Sequence, residues 1–514
     1  MIKKLGYKMV NFISIVPKWI GGVSLSLVVL KNYLLFKNPS LNITLNKFFC
    51  DDDPEYIVNS ILSTNCEVIG FSVYMWNINA TLKICSLLKK RKPDCFIILG
   101  GPTATFDANN LMLKYKSIDM IVKGEGEKKI LQVLSKINAG DNDFSTIPNL
   151  IYRKDDKLLE SFQQISVLNI EDQHYLIDVK DFDDVETVYY ETSRGCVFKC
   201  NYCAWNVNQS GVRKIRYYPL EKILMEINAL FDLPKLKMLL FTDSNILLGG
   251  KRTLQIFNKV NLLNQERRKK GLPLVKINFE FNPEHLTDEL LTEVKKLFVE
   301  NYPIGLQSVN ANVLKEANRP FNKEKYLENI NKLREKSGAS ILVEIIYGLP
   351  NDTYEGFRQT LEFVLSEINA ELFVCYKYSV LPGSFFWQNK SKYNLKHEKN
   401  SPYLIISTST FSEEELNNVE MLVYYLQIIF RIFRSIKKDI DKNIHQSKLS
   451  VYEEIINMFY NKYGDLFKPK LVYDNGFLED VNQLRSREFA DTRHKMLSDA
   501  RQIIKKYKKN GEEK

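Results

Sequence analysis

Cys196-Val197-Phe198-Lys199-Cys200-Asn201-Tyr202-Cys203 places three thiols within one short stretch, directly after the extended run that ends Tyr189-Tyr190-Glu191. Three thiolates on one loop can hold three irons of a 4Fe–4S cluster. A tetrahedral zinc site normally takes a fourth N or S ligand nearby. The next candidates, His285 and Cys375, are far along the chain. The loop can therefore leave one iron open to a substrate or cofactor. A disulfide pair with a spare thiol, or a zinc loop, are the other arrangements open to these residues.

Strands and helices alternate on both sides of the loop. Before it, Met9–Val16, Glu67–Tyr74, Cys95–Pro102 and Ile118–Lys123 are apolar runs suited to buried parallel strands, and Ser24–Leu35, Ile78–Lys90 and Lys128–Ile137 have helical spacing. This predicts a doubly wound, Rossmann-like parallel sheet over residues 1–165. Such sheets bind ligands at the carboxyl ends of their strands, where this chain has Ser72, Tyr74 and Trp76, then Gly100 and Gly101, then Gly124. Thr146–Arg153 and Lys157–Leu168 can pair as a hairpin, and residues 166–187 read as a connector. From 188 to 392 six further strands are expected, Thr187–Glu191, Lys237–Asp243, Lys276–Phe281, Tyr302–Ser308, Ile341–Pro350 and Leu372–Leu381, each pair separated by a helix-length segment. Six such repeats make a partial (β/α)6 barrel, open at one side, with its chemistry at the carboxyl strand ends. Residues 393–514 carry amphipathic helical patterns at Ser412–Ser435, Val451–Tyr463 and Asp491–Tyr507, an α-helical cap in which Phe430, Phe433 and Tyr460 read as core.

The C-x3-C-x2-C loop resembles the signature of the radical S-adenosylmethionine (SAM) superfamily, and Tyr202 matches the aromatic residue that family places before its third cysteine. Gln307-Ser308 resembles the family's Gly-Leu-Gln-Ser strand, Gly348-Leu349-Pro350 with Thr353 its Gly-Leu-Pro-x-x-Thr element, and Pro382-Gly383-Ser384 another common element. A Rossmann-like domain just before this core resembles the cobalamin-binding domain of the cobalamin (B12)-dependent subgroup, with Ser72-x-Tyr74 and Gly100-Gly101 at its Ser-x-Leu and Gly-Gly elements. No histidine precedes His174, so this domain cannot supply a histidine as lower cobalt ligand. The resemblance implies a 4Fe–4S cluster on Cys196, Cys200 and Cys203, SAM near Tyr202, Asp243, Asn245, Gln307 and Glu344, and cobalamin near Ser72, Tyr74, Trp76, Gly100, Gly101 and Gly124. It implies a methyltransferase that uses a 5′-deoxyadenosyl radical and methylcobalamin on an unactivated carbon of a peptide or small natural product, with electrons from a flavodoxin or ferredoxin. A rearranging or cyclising radical SAM enzyme, or a cluster-bearing protein without turnover, are the alternatives. No catalytic proton donor is singled out.

Composition sets the remaining bounds. A chain of 514 residues exceeds one ordinary domain. The net charge of +10, from 72 basic and 62 acidic residues, is dispersed and gives no basic stripe, so no nucleic-acid partner is expected. The basic Met1–Lys8 and the apolar Ile13–Phe36 invite a leader or membrane reading, but Pro17, Lys18, Lys31 and Asn32 interrupt the run and no membrane partner is expected. Cys50, Cys66, Cys85, Cys95 and Cys375 read as isolated buried thiols, and an oxygen-labile cluster argues for a reducing cytoplasm.

Overall fold

The run Val10–Val16 is buried at every position, and only a strand covered on both faces reads that way. In the computed structural model, which describes residues 9–18, 20–165, 167–205, 214–444, 447–471 and 475–512, this run is β1. Met1–Lys8 lies outside the described residues. Helix α1 (Leu25–Lys37), β2 (Ile43–Phe49), α2 (Pro54–Ser63), β3 (Val68–Ser72), α3 (Ile78–Arg91), β4 (Phe96–Gly100), α4 (Pro102–Phe106), α5 (Ala108–Lys114), β5 (Met120–Val122) and α6 (Glu127–Asn138) follow. The strand order is β2-β1-β3-β4-β5, all parallel, continued antiparallel by β6 (Leu150–Lys154) and β7 (Lys157–Glu160). The expected hairpin thus extends the main sheet at its edge instead of standing apart in the connector. The sequence reading missed β2 because it is an edge strand, mostly half-buried, and lacks a continuous apolar run. Alternate residues feed two cores. Ile13, Ile69, Phe71 and Leu99 pack with α2, α3 and α5. Phe12, Val68, Ile98 and Val122 pack with α1 and α6, in a core that runs on without a break into the rest of the chain.

That continuation is the barrel. Its elements are β8 (Thr187–Tyr190), the short ladder of β9 (Ser193–Arg194) and β10 (Arg216–Tyr217), α7 (Leu220–Phe231), β11 (Met238–Phe241), α8 (Lys251–Lys269), β12 (Lys276–Phe279), α9 (Asp288–Val294), β13 (Asn301–Gln307), α10 (Ala311–Glu316), α11 (Lys323–Ser337), β14 (Ser340–Tyr347), α12 (Tyr354–Glu362) and β15 (Leu372–Lys377). Parallel pairing gives two three-stranded halves, β8-β11-β12 and β13-β14-β15, joined by a bridge between Phe281 and Ile304. In β8, β11, β12 and β14 buried and part-exposed positions alternate strictly. The buried set packs on the surrounding helices; the other set faces a lumen that side chains do not fill.

After β15 the chain makes α13 (Phe385–Gln388) and a small antiparallel ladder of β16 (Lys396–His397) and β17 (Ile405–Ser407), then the helices α14 (Glu413–Ile432), α15 (Arg434–Asn443), α16 (Lys448–Tyr463), α17 (Asn475–Arg485) and α18 (Ala490–Glu512). A capping box of Ser412 and Glu415 starts α14. Helix α14 covers the last barrel strand: Phe430 meets Phe373 edge-on at 4.7 Å, and Gln427 Nε2 donates to the Phe373 carbonyl at 2.6 Å. Phe430 and Phe433 are core, as expected, but Tyr460 is 48% exposed, because α16 buries its other side against α12, α14 and α18. Of the five isolated cysteines, four are buried and Cys50 is part-exposed.

The segment after β15 also ties barrel to N-terminal sheet. Gly383 has φ +88°, and a Cβ there would penetrate the Phe106 ring at the end of α4. Ser401 Oγ donates to the Met75 carbonyl at 2.9 Å. Gly383→Ala combines left-handed strain with overpacking and is expected to destabilise the protein by about 2–4 kcal/mol. Denaturant unfolding checks this, with Phe106→Ala in the same chain expected to restore part of the loss.

Candidate functional site

The cysteine loop is held at its entrance by the end of β11. Asp243 is buried, and its carboxylate accepts from the Thr192 amide at 3.1 Å, from Thr192 Oγ1 at 2.7 Å and from Ser193 Oγ. Gly195 has φ +105°, and a Cβ there would lie 2.5 Å from the Lys214 carbonyl; its own carbonyl accepts from Ser244 Oγ at 2.8 Å. Past the turn, the Asn201 amide donates to the Ala317 carbonyl at 2.9 Å, Asn201 Nδ2 to the Glu316 carbonyl at 2.7 Å, and Asn318 Nδ2 to the Lys199 carbonyl at 2.9 Å. Arg319 completes this wall. Its Nη1 donates to Tyr202 Oη at 3.2 Å and lies 3.9 Å from Cys200 Sγ, and its Nη2 donates to the Gly305 carbonyl. Cys200 is buried, Cys196 and Cys203 are half-buried, and none of the eight cysteines is in a disulfide. Among the described residues no three His, Cys, Asp or Glu side chains are gathered tightly enough to hold a single metal ion. Ligands of a four-iron cluster sit on separate irons and stand further apart than those of one zinc ion, so this does not bear on the cluster.

The residues expected around SAM are placed in different ways. Asp243 is committed to Thr192 and Ser193. Asn245 is buried, caps the turn after β11 through the Leu247 amide at 3.2 Å, and donates from Nδ2 to His285 Nδ1 at 3.0 Å. That bond leaves the imidazole proton on Nε2, and burial lowers the ring's pKa, so the ring is neutral; it packs 5.5 Å from Phe198 of the cysteine loop. Gln307 sits at φ +71° where the β13 register shifts and folds back over Gly305, the residue whose carbonyl Arg319 holds. Glu344 faces the lumen from β14, accepting from Tyr376 Oη at 3.3 Å, with Glu280 of the neighbouring wall near it. Arg319 and Glu280 were not singled out in the sequence, and His285 entered there only as a distant candidate for a fourth zinc ligand. The signal for Glu280 was present: Lys276, Asn278 and Glu280 are the polar, alternate set of their strand.

Enclosure by the lumen wall, then the Glu344 charge, push the Glu280 carboxyl up to about 8 although the side chain stays open to solvent, and burial raises Glu344 as well. The pair keeps a proton near neutrality that an unfolded chain releases around pH 4–5. A raised carboxyl contributes fully below its unfolded value, and that contribution is lost as pH rises towards about 8. Glu280→Gln is therefore expected to flatten the fall of the thermal midpoint between roughly pH 5 and about 8. Parallel profiles for the two proteins would contradict it.

Between the two sheets lies a cavity of about 490 Å³, within the usual range of ligand pockets. It opens at the carboxyl ends of β1, β3, β4 and β5, at the point where the strand order reverses, and is closed from the other side by Tyr189, Gly195, Leu240 and Thr242 of the barrel and by Trp205. Ser72, Tyr74, Trp76, Gly100, Gly101 and Gly124 all line it; Asp243, Asn245, Gln307, Glu344 and the three cysteines do not. Tyr74 and Trp76 stack at 4.5 Å and 6°, and Tyr74 Oη meets Ser26 Oγ at 3.2 Å, which in turn meets Ser72 Oγ at 2.8 Å. At Gly100 a Cβ would meet only the Val122 carbonyl, at 3.9 Å. No packing demand explains that glycine, so the space above it is free for a flat ligand. No histidine lines the cavity among the described residues.

Comparison with known proteins bears on both halves of this arrangement. The B12 binding domain family matches residues 27–134 and the Radical SAM superfamily residues 190–364. The chain carries a radical SAM domain preceded by a B12-binding domain. It is 25% identical over 62% of its length to the cobalamin-dependent radical SAM methyltransferase TokK of Streptomyces tokunonensis, covering 47% of that protein. It is 24% identical over 65% of its length to 2-(S-pantetheinyl)-carbapenam-3-carboxylate methyltransferase of Streptantibioticus cattleyicolor, covering 50%. The chain thus spans about half the length of these curated relatives. Its fold matches the cobalamin-dependent radical enzyme OxsB, seen with aqua-cobalamin and SAM bound, at TM-score 0.66 and 14% identity over 98% of this chain and 80% of that one. At that identity the likeness is one of fold. The cavity is therefore the junction of the B12-binding and radical SAM domains, and the cysteine loop is the first strand-end loop of the radical SAM domain. No helix among the described residues is long and apolar enough to cross a membrane.

Proposed function

We propose that this protein is a cobalamin-dependent radical SAM methyltransferase that acts on an unactivated carbon of a small-molecule or peptide substrate. The observation that carries the reading is the cavity itself: it lies between the carboxyl ends of two parallel sheets, with open space over Gly100, and it reaches Gly195, the residue before the first cysteine. Domains are assigned as 1–165 for B12 binding, 166–187 for the connector, 188–392 for the radical SAM core and 393–514 for the helical region.

Cys196, Cys200 and Cys203 hold the 4Fe–4S cluster in this reading. Tyr202 and Arg319 pack against Cys200, Gln307 and Glu344 face the SAM side of the lumen, and Asp243 and Asn245 act by fixing the loop and His285. Ser72, Tyr74, Trp76, Gly100, Gly101 and Gly124 would form the cobalamin cradle, in a domain that offers the cofactor no histidine. When bound, the cluster with SAM supplies hydrogen abstraction, and cobalamin supplies the methyl group. The protein's share is position and dryness: the apolar floor of Phe12, Val16, Ile98 and Val122 excludes water, and the Glu280–Glu344 pair offers a proton-holding site in the lumen. Electrons come from a flavodoxin or ferredoxin in a reducing cytoplasm.

The test is anaerobic reconstitution with iron, sulfide and hydroxocobalamin, then reduction with SAM carrying a labelled methyl group. Retained corrin, formation of 5′-deoxyadenosine and label on corrin support the reading. A full cluster that cleaves SAM without retaining corrin would point to a rearranging or cyclising radical enzyme, and a cluster that never cleaves SAM to a protein without turnover.

A further inference from the structure

The turn after β5, Gly124-Glu125-Gly126-Glu127, lines the cavity with its glycines and sends its carboxylates across the domain boundary. Glu127 Oε1 accepts from Arg194 Nη1 at 2.7 Å. Glu125 Oε1 accepts from Arg216 Nη2, and its Oε2 accepts from Arg216 Nη1 at 3.3 Å and lies 3.9 Å from Arg194 Nη1. On the barrel side Glu191 Oε1 accepts from Arg194 Nη2 at 2.8 Å and from Tyr218 Oη at 2.6 Å. Arg194 and Arg216 are register partners in the β9–β10 ladder, two residues before Cys196. All four side chains, Glu125, Glu127, Arg194 and Arg216, are at most 16% exposed, and all four line the cavity.

Buried ion pairs of this kind are weak evidence for stability, since desolvation offsets most of the attraction. What an arginine fork does give is geometry. Geometry is what the ladder lacks: a ribbon with two residues per strand cannot hold its own position. Burial raises the Glu125 carboxyl, yet the arginines and the Leu168 amide outweigh it and keep the group below its usual range, so this carboxylate is charged and engaged at neutral pH.

We infer that Glu125 and Glu127 of the B12-binding domain are positioning residues for the cysteine loop, acting through Arg194 and Arg216. The inference rests on the proposed cluster only for its spectroscopic arm. The experiment compares wild type, Glu127→Gln and Ser401→Ala, the last removing the domain contact to the Met75 carbonyl at a point away from the network and from the cysteine loop. Hydrogen exchange of the segment 192–203 is measured on the full chain, and EPR g-values are recorded on the reduced, iron-reconstituted protein without corrin. Glu127→Gln is expected to speed exchange of that segment about tenfold and to shift the g-values. Ser401→Ala is expected to leave both as in wild type despite the lost domain contact. Wild-type exchange in Glu127→Gln, or an equal effect of Ser401→Ala, overturns the inference. If Glu127→Gln does not fold, Arg194→Lys, which keeps the charge and loses the fork, is read by the same criteria. A wild type that takes up no iron defeats the proposed function instead, and leaves the exchange comparison intact.

Discussion

Cys200→Ala protein, reconstituted anaerobically, is expected to lose nearly all of the roughly four irons per chain that a 4Fe–4S cluster brings, and with them SAM cleavage by two orders of magnitude or more. Cys200 is the most enclosed of the three thiols, with the Arg319 guanidinium 3.9 Å from its sulfur and a backbone pinned on both sides by Asn201 and Asn318. No other cysteine can replace it: Cys375 is buried at the back of β15, and the remaining four lie in the B12-binding domain. Cys95→Ala, which removes a buried thiol of that domain's core, is the control and should keep its iron. Iron and sulfide analysis reads both, and a full cluster on Cys200→Ala would remove the basis of the metal assignment.

Gly100→Trp is expected to lower corrin retention from about one per chain to less than about a tenth, with iron content unchanged, because the indole would occupy the cavity that the ligand needs. The position makes a sharp test. Its backbone is unstrained, and a Cβ has only the Val122 carbonyl at 3.9 Å to meet, so Gly100→Ala should fold and retain corrin. Gly101, by contrast, has φ +94° and a Cβ there would lie 2.7–2.8 Å from the Val73 backbone, so its substitution reports on folding. Optical spectra after desalting, with an iron count, separate the outcomes. Full retention by Gly100→Trp would place the corrin elsewhere.

Much of the fold was legible because it rests on local pattern. The buried parallel strands are continuous apolar runs, the helices between them keep a 3.6-residue period, and helix-length crossovers leave little choice but parallel sheets. Elements escaped where that pattern is diluted: β2 at a sheet edge, α17 near the end of the chain, and the ladder of β16 and β17, whose residues bear no clear period. The cavity lining was legible for a related reason, since strand-end residues of a doubly wound sheet converge on one crevice.

The sequence by itself determined the cysteine loop, the alternation of strands and helices in both parallel sheets apart from the edge strand β2, and the glycines at the strand ends, all of which depend on neighbours within a few residues. Only the tertiary structure decided which polar groups are spent on holding the site and which face it. Asp243 and Asn245 turned out to bind Thr192, Ser193 and His285, whereas Arg319, Glu280 and the pairing of Glu125 and Glu127 with Arg216 and Arg194 come from segments tens of residues apart. A charged side chain's partner is set by burial and direction in space, and a one-dimensional pattern carries neither.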